Sequence, residues 1–127
     1  MERLMLPSAI AILLAFSLIG SAHANCEHYE FAELKAMESR DLKLQYCLNN
    51  IERAKQRSLQ GIAIKLTELE LQRPGGASMR EIDSNKRKDD LATEKARQCF
   101  HENTRIFDLL RQRKFNVGAM MKECPDR

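Results

Sequence analysis

The sequence has few aromatic residues: no tryptophan, five phenylalanines and two tyrosines among 127 residues. Proteins that bind nucleic acid usually combine a clustered basic surface with aromatic side chains on which bases stack. The 21 basic and 18 acidic residues leave a formal net charge of only +3. We therefore expect no nucleic-acid partner, and a core built mainly from aliphatic side chains.

Histidine is also scarce, with three residues, and the sequence contains no C-x-x-C motif. Cys26 and His28, like Cys99 and His101, are spaced as possible metal ligands. A disulfide-bonded cysteine is not a thiolate ligand, however, and a structural zinc site needs about four converging donors. No Ser/His/Asp or Cys/His constellation is evident, so we expect a non-enzymatic protein without a metal or other cofactor.

No apolar run is long enough for a membrane anchor, which needs about 20 residues. The longest run, residues 9–19, follows Arg3 and precedes an A-x-A box at residues 22–24. This order predicts a Sec-type signal peptide at 1–24 and a single mature domain at 25–127, periplasmic or secreted. Asn25 separates the box from Cys26, so a lipoprotein is not expected.

All four cysteines lie in the predicted mature domain: Cys26, Cys47, Cys99 and Cys124. An even number in an exported chain indicates two disulfides.

The remaining composition favours helix. Apolar residues recur at steps of three and four, near a heptad spacing, with Lys55 interrupting the row: Leu44, Leu48, Ile51, Leu59, Ile62, Leu66 and Leu69. This pattern predicts an amphipathic helix over residues 27–72, with weak points at 39–41 and Gly61 through which we favour continuity.

Residues 73–77, R-P-G-G-A, predict a turn, and Ser78 with Glu81 forms a capping-box pattern that opens a second helix. Residues 84–90 are polar on every side and could be a solvated helical turn or a looser start to that helix. It should end near residues 114–116. Because no strand-like alternation occurs, we predict an all-α fold: a long antiparallel hairpin, or a kinked three- or four-helix arrangement, stapled by two disulfides.

The turn also suggests a disulfide pairing. In a straight antiparallel hairpin, Cys47 lies opposite Cys99 and Cys26 lies opposite Cys124, since both midpoints fall in the turn. We therefore predict the nested pairing, Cys47–Cys99 with Cys26–Cys124. If the chain breaks near Ser39 and folds back, the sequential pairing of Cys26 with Cys47 becomes possible.

The second part of the apolar row should be poorly covered, because it faces the polar residues 84–90. We predict an interaction face at Leu59, Ile62, Leu66 and Leu69, with another protein or a second copy of the chain as partner. The function that follows is a non-enzymatic binding module, such as an inhibitor, immunity protein, adaptor or small chaperone.

The alternative function uses basic clusters at residues 86–88 and 111–114. Arg111, Arg113 and Lys114 could contact an anion, giving an envelope-surface protein that binds anionic lipid or a cell-wall polymer. A solvated helix surface also explains these clusters. The apolar residues near the C-terminus, including Met120 and Met121, should pack onto Phe31, Leu34 and Met37 at the open end of the hairpin.

Overall fold

The computed structural model describes residues 25–116, 118, 119 and 124. These residues form helices α1 (Phe31–Ala36), α2 (Ser39–Leu71) and α3 (Met79–Gln112). No strand occurs within the described residues, which confirms the all-α prediction. None of the described helices combines the length and apolar character that a membrane span requires. The predicted signal peptide, Met120 and Met121 lie outside the described residues.

Helices α2 and α3 pack against each other as a long antiparallel hairpin. The turn forms as its sequence predicts: Gly75 and Gly76 adopt φ values of 93° and 106°, which glycine tolerates best. The side chain of Ser78 caps α3 by accepting a hydrogen bond from the Glu81 N–H at 3.4 Å. Residues 84–90 are helical and Gly61 does not interrupt α2.

The first predicted helix is not continuous, and this corrects the prediction for residues 27–72. Residues 27–30 are not helical, and a break at Met37 and Glu38 separates α1 from α2, with ψ values of 141° and 150°. The guanidinium of Arg113 donates hydrogen bonds to the carbonyls of Lys35 and Met37, both at 2.9 Å. A contact 76 residues away in sequence therefore satisfies a carbonyl at the break itself.

The predicted disulfide pairing is wrong. Cys26 bonds to Cys99 and Cys47 bonds to Cys124, with Cα–Cα distances of 4.6 and 5.4 Å. The pairing is interleaved, neither nested nor sequential, because Cys26, before α1, and Cys124, after α3, both lie alongside the hairpin. The break after α1 returns Cys26 to the level of Asn49, whose side-chain oxygen accepts the Cys26 N–H at 2.7 Å.

The second reversal follows α3, where Lys114 adopts a φ of 65° and Phe115 packs against the core. The cysteine before α1 and the cysteine after α3 thus each form a disulfide with one cysteine of the hairpin. Cys47 and Cys99 do lie at neighbouring levels, since Asn103 Nδ2 donates to the Tyr46 carbonyl at 3.1 Å. They are bonded to the cysteines outside the helices and not to each other.

The apolar core lies in the proximal half of the hairpin, which comprises α1, residues 39–54 of α2 and residues 96–112 of α3. Its buried cluster consists of Leu34, Leu42, Ile106, Leu109 and Leu110. In the distal half, residues 55–71 and 79–95, the buried residues are small or polar: Gln56, Ala63, Asn85 and Ala92. The large aliphatic side chains of the distal half therefore lie on its surface.

Candidate functional site

An open groove of about 410 Å³ runs between α2 and α3 in the distal half. We call it the distal groove. Its floor is apolar and consists of Leu59, Ile62, Ala63, Leu66, Leu91 and Ala92. Its rim is polar and consists of Glu52, Lys55, Gln56, Lys88 and Lys95.

The floor is exposed because the two helices meet through small residues. Ala63 and Ala92 are 2% and 3% exposed, which allows close approach of α2 and α3. The larger aliphatic side chains lie beside that seam. Leu59 and Ile62 keep exposed fractions of 43% and 55%. Exposed aliphatic residues that share one groove are typical of an interaction site.

Three residues of the predicted interaction face, Leu59, Ile62 and Leu66, come together in the distal groove. The fourth, Leu69, lies nearer the turn in a separate depression that it shares with Leu66 and Pro74. All four are exposed, as the sequence predicts. That they bind a partner stays a prediction.

Sequence reasoning missed the contribution of α3 to this site. Leu91 is 59% exposed and lines the groove opposite the apolar row of α2. The antiparallel register carries the signal that could have identified it, because Leu91 and Leu59 lie equally far from the turn. Periodicity along one helix cannot show this pairing.

Three lysines dominate the charge of the rim. Lys55 belongs to α2, whereas Lys88 and Lys95 belong to α3. No ion pair within the described part of the chain includes any of the three. The single acidic residue, Glu52, accepts a hydrogen bond from Gln56 at 2.9 Å. The groove therefore combines an apolar floor with cations on both walls.

A smaller groove of about 270 Å³ lies between the same helices on the other side of the seam. Ile64 and Ile82 supply most of its apolar part, and Glu68, Lys86 and Asp89 supply its charges. Its mixed charge distinguishes it from the distal groove. Ile64 and Lys86 provide close structural counterparts of Ile62 and Lys88.

The predicted anion-contact residues do not form a common cationic surface. Arg113 donates to the Lys35 and Met37 carbonyls and, at 3.1 Å, to Ser39 Oγ, so its guanidinium is directed toward the chain itself. Arg111 lies 3.9 Å from Asp108. Lys114 is exposed at the reversal after α3. Contact of Arg111 or Lys114 with an anion stays a prediction.

A buried carboxylate lies close to the first disulfide. Glu102 has a side chain only 7% exposed, and it accepts a hydrogen bond from Arg105 at 2.6 Å. His28 Nδ1 lies 3.1 Å from the same carboxylate oxygen. No nucleophilic thiol accompanies this group, since Cys26 and Cys99 are joined as a disulfide. These contacts attach the N-terminal segment to α3.

Amides complete the attachment of that segment. Asn49 Oδ1 accepts hydrogen bonds from the Cys26 N–H and from Gln45 Nε2, both at 2.7 Å. Gln98 Nε2 donates to the Cys26 carbonyl at 2.7 Å. Nearby, burial raises the pKa of the Tyr29 phenol, with smaller contributions from Glu27 and Glu33. The polar groups of the proximal half therefore have a structural role, holding the folded-back segment in place.

The described residues contain no group of three or more histidine, cysteine, aspartate or glutamate side chains that could hold a metal ion. The distal groove is lined by aliphatic side chains, three lysines, one glutamine and one glutamate, with no histidine, serine or cysteine among its lining residues. Comparison of the chain with protein-family models, with curated proteins and with solved structures gave no match.

Proposed function

We propose that the protein is an exported, non-enzymatic binding module whose partner occupies the distal groove. The observation that carries this proposal is the apolar floor, where Leu59, Ile62 and Leu91 remain substantially exposed. Burying apolar surface contributes roughly 25 cal/mol per Å², so covering the floor would favour association. The module would act as an inhibitor, immunity protein, adaptor or small chaperone.

The second part of the proposal is that the protein is exported from the cytoplasm. Two disulfides are compatible with an oxidising compartment outside the cytoplasm. Residues 1–24 would act as the signal peptide, and residues 25–127 would form the mature domain in the periplasm or the medium. The sequence of a basic residue, an apolar run and an A-x-A box supports this part.

Binding of anionic lipid or cell-wall polymer through Arg111, Arg113 and Lys114 has less support. The contacts of Arg113 with the break between α1 and α2 compete with such a role. Lys88, from the other basic cluster, belongs to the rim of the distal groove.

Site-specific photocrosslinking tests the proposed function. A benzophenone-bearing residue is introduced at Ile62, inside the distal groove, or at Ile64, which has a comparable exposure of 47% on the other side of the seam. We expect a discrete adduct from position 62 in exporting cells, and its loss when Leu66→Ser is added. No adduct at position 62, or equal adducts at both positions, would contradict the proposal.

A further inference from the structure

We propose that the partner in the distal groove is an amphipathic α-helix with acidic flanks, contributed by another protein. This inference rests on the proposed function and names the chemistry of the partner. It follows from two independent properties of the groove, its shape and its charge.

The shape of the distal half suits a helix. In the proximal half a third element covers the hairpin, because α1 places Leu34 in the cluster formed with Leu42 and Ile106. The described residues supply no such element over the distal groove. Leu59, Ile62 and Leu66 follow each other at steps of three and four, over about 10 Å at 1.5 Å per residue. A partner helix with apolar residues at i, i+3 or i+4, and i+7 matches that row.

The charge of the rim selects an acidic partner. Lys55 and Lys95 lie on opposite walls at the same distance from the turn, and Lys88 lies on α3 at the level of Ile62. A helix laid along the floor would place both of its polar flanks beside lysines. Acidic residues on those flanks would find unpaired cations, whereas basic residues would be repelled.

The same charges disfavour a second copy of the chain. A two-fold interface brings the same patch of both copies together, so six rim lysines would share one interface with only two rim carboxylates, those of Glu52. A single-chain fatty acid is also disfavoured, because one carboxylate matches a cation at one end of a groove and not cations along both walls. The binding test described next can detect a second copy of the chain or a fatty acid in place of the helix.

The binding test uses the purified, disulfide-bonded protein and fluorescein-labelled helical peptides of about five turns, or ~18 residues. The first peptide carries a leucine stripe flanked by glutamates. A basic twin replaces every glutamate by lysine, and a scrambled acidic peptide keeps the composition without the stripe. By anisotropy at low salt we expect the acidic striped peptide to bind at least ~10-fold tighter than either of the others. The difference from the basic twin should shrink at high salt, where charges are screened.

Two matched pairs of variants locate the binding. Lys88→Glu should weaken binding of the acidic peptide by roughly 3- to 10-fold, the range typical of reversing an exposed charge pair. Lys86→Glu makes the same charge change two residues away, on the opposite groove, and should leave the affinity within about 2-fold. Ile62→Ser should likewise weaken binding far more than Ile64→Ser.

Several results would overturn the inference. Equal or tighter binding of the basic twin would remove the acidic preference, and tight binding of the scrambled peptide would remove the helical stripe. A dimer in sedimentation that excludes the peptide would identify a second copy. Anionic vesicles or a fatty acid that displace the peptide and bind more tightly would identify a lipid.

The photocrosslink at position 62 distinguishes failure of the acidic-helix proposal from failure of the proposed binding function. A persistent position-62 adduct with no preference for the acidic striped peptide overturns the acidic helix and leaves the proposed function standing. Loss of both the adduct and peptide binding overturns both. A selective peptide that competes with the adduct supports both.

Discussion

The proximal half of the hairpin buries a cluster of large aliphatic side chains, whereas the distal half buries none, although Leu44 of the proximal half is itself 51% exposed. Leu42, Ile106 and Leu110 are fully buried in the proximal half. In the distal half, Ile62 and Leu91 are each more than half exposed, although the same two helices pass through both halves. The difference comes from what covers the helices.

Two antiparallel helices bury only the narrow seam between them. In the distal half that seam contains Ala63 and Ala92, so the larger aliphatic side chains lie outside it. In the proximal half the segments before α2 and after α3 supply further cover, through Leu34 of α1 and Phe115. Disulfides hold both segments. Which leucines are buried therefore depends more on the cover that α1 and Phe115 supply than on the hydrophobicity of α2 or α3.

The largest expected effect comes from replacing one leucine in each half by alanine and comparing the losses in the free energy of unfolding. Leu110→Ala removes a side chain with no exposure and should lower the free energy of unfolding by about 2–5 kcal/mol. Leu69→Ala makes the same change at a side chain 54% exposed, and should cost less than about 1 kcal/mol. Urea unfolding of the oxidised protein measures both. Similar losses would show that the distal half has a core of its own.

The difference between the halves also explains which features the sequence could predict. The all-α class, the turn and the Ser78 cap follow from local patterns, and the structure agrees with each. Each depends on residues close together in sequence.

The break at Met37 and Glu38 was only partly predictable in that way, because the weak point at residues 39–41 lies next to it while the apolar row favoured continuity. The contacts that hold the break come from Arg113, 76 residues from Met37. The disulfide pairing depends on this break, so its prediction failed for the same reason. The lysine rim was missed because it needs two helices in register, although the interruption of the apolar row at Lys55 was a visible sign.

A second, smaller test concerns that break. Arg113→Met keeps much of the side-chain volume but removes the hydrogen bonds to the carbonyls of Lys35 and Met37. We expect a loss of about 1.5–3 kcal/mol, the range for hydrogen bonds to charged groups, and faster amide exchange in α1. Arg111→Met is the matched control, because that side chain is exposed and 3.9 Å from its acidic neighbour. If both variants leave α1 equally protected, Arg113 does not stabilise the break.

The smallest expected effect lies at the turn end of the distal half. Glu70 Oε1 accepts the Ser78 N–H at 2.8 Å and thereby links the end of α2 to the N-cap of α3. This hydrogen bond, with a smaller contribution from Arg73, lowers the pKa of Glu70 below its ordinary value of 4.5. A lowered pKa stabilises the fold fully above the ordinary value, and the contribution is lost as the pH falls through the lowered pKa.

Glu70→Gln should therefore lower the melting temperature slightly at neutral pH, by less than Arg113→Met. The gap between wild type and variant should close as the pH falls below the ordinary carboxyl value and through the lowered pKa of Glu70. Glu68→Gln is the control, since Glu68 forms an exposed ion pair with Lys65 at 3.5 Å on the same helix. The Ser78 amide shift should titrate with Glu70 in the wild type, because its N–H loses a charged acceptor on protonation. An amide shift independent of pH would show that α2 and α3 are joined at the turn by the backbone alone.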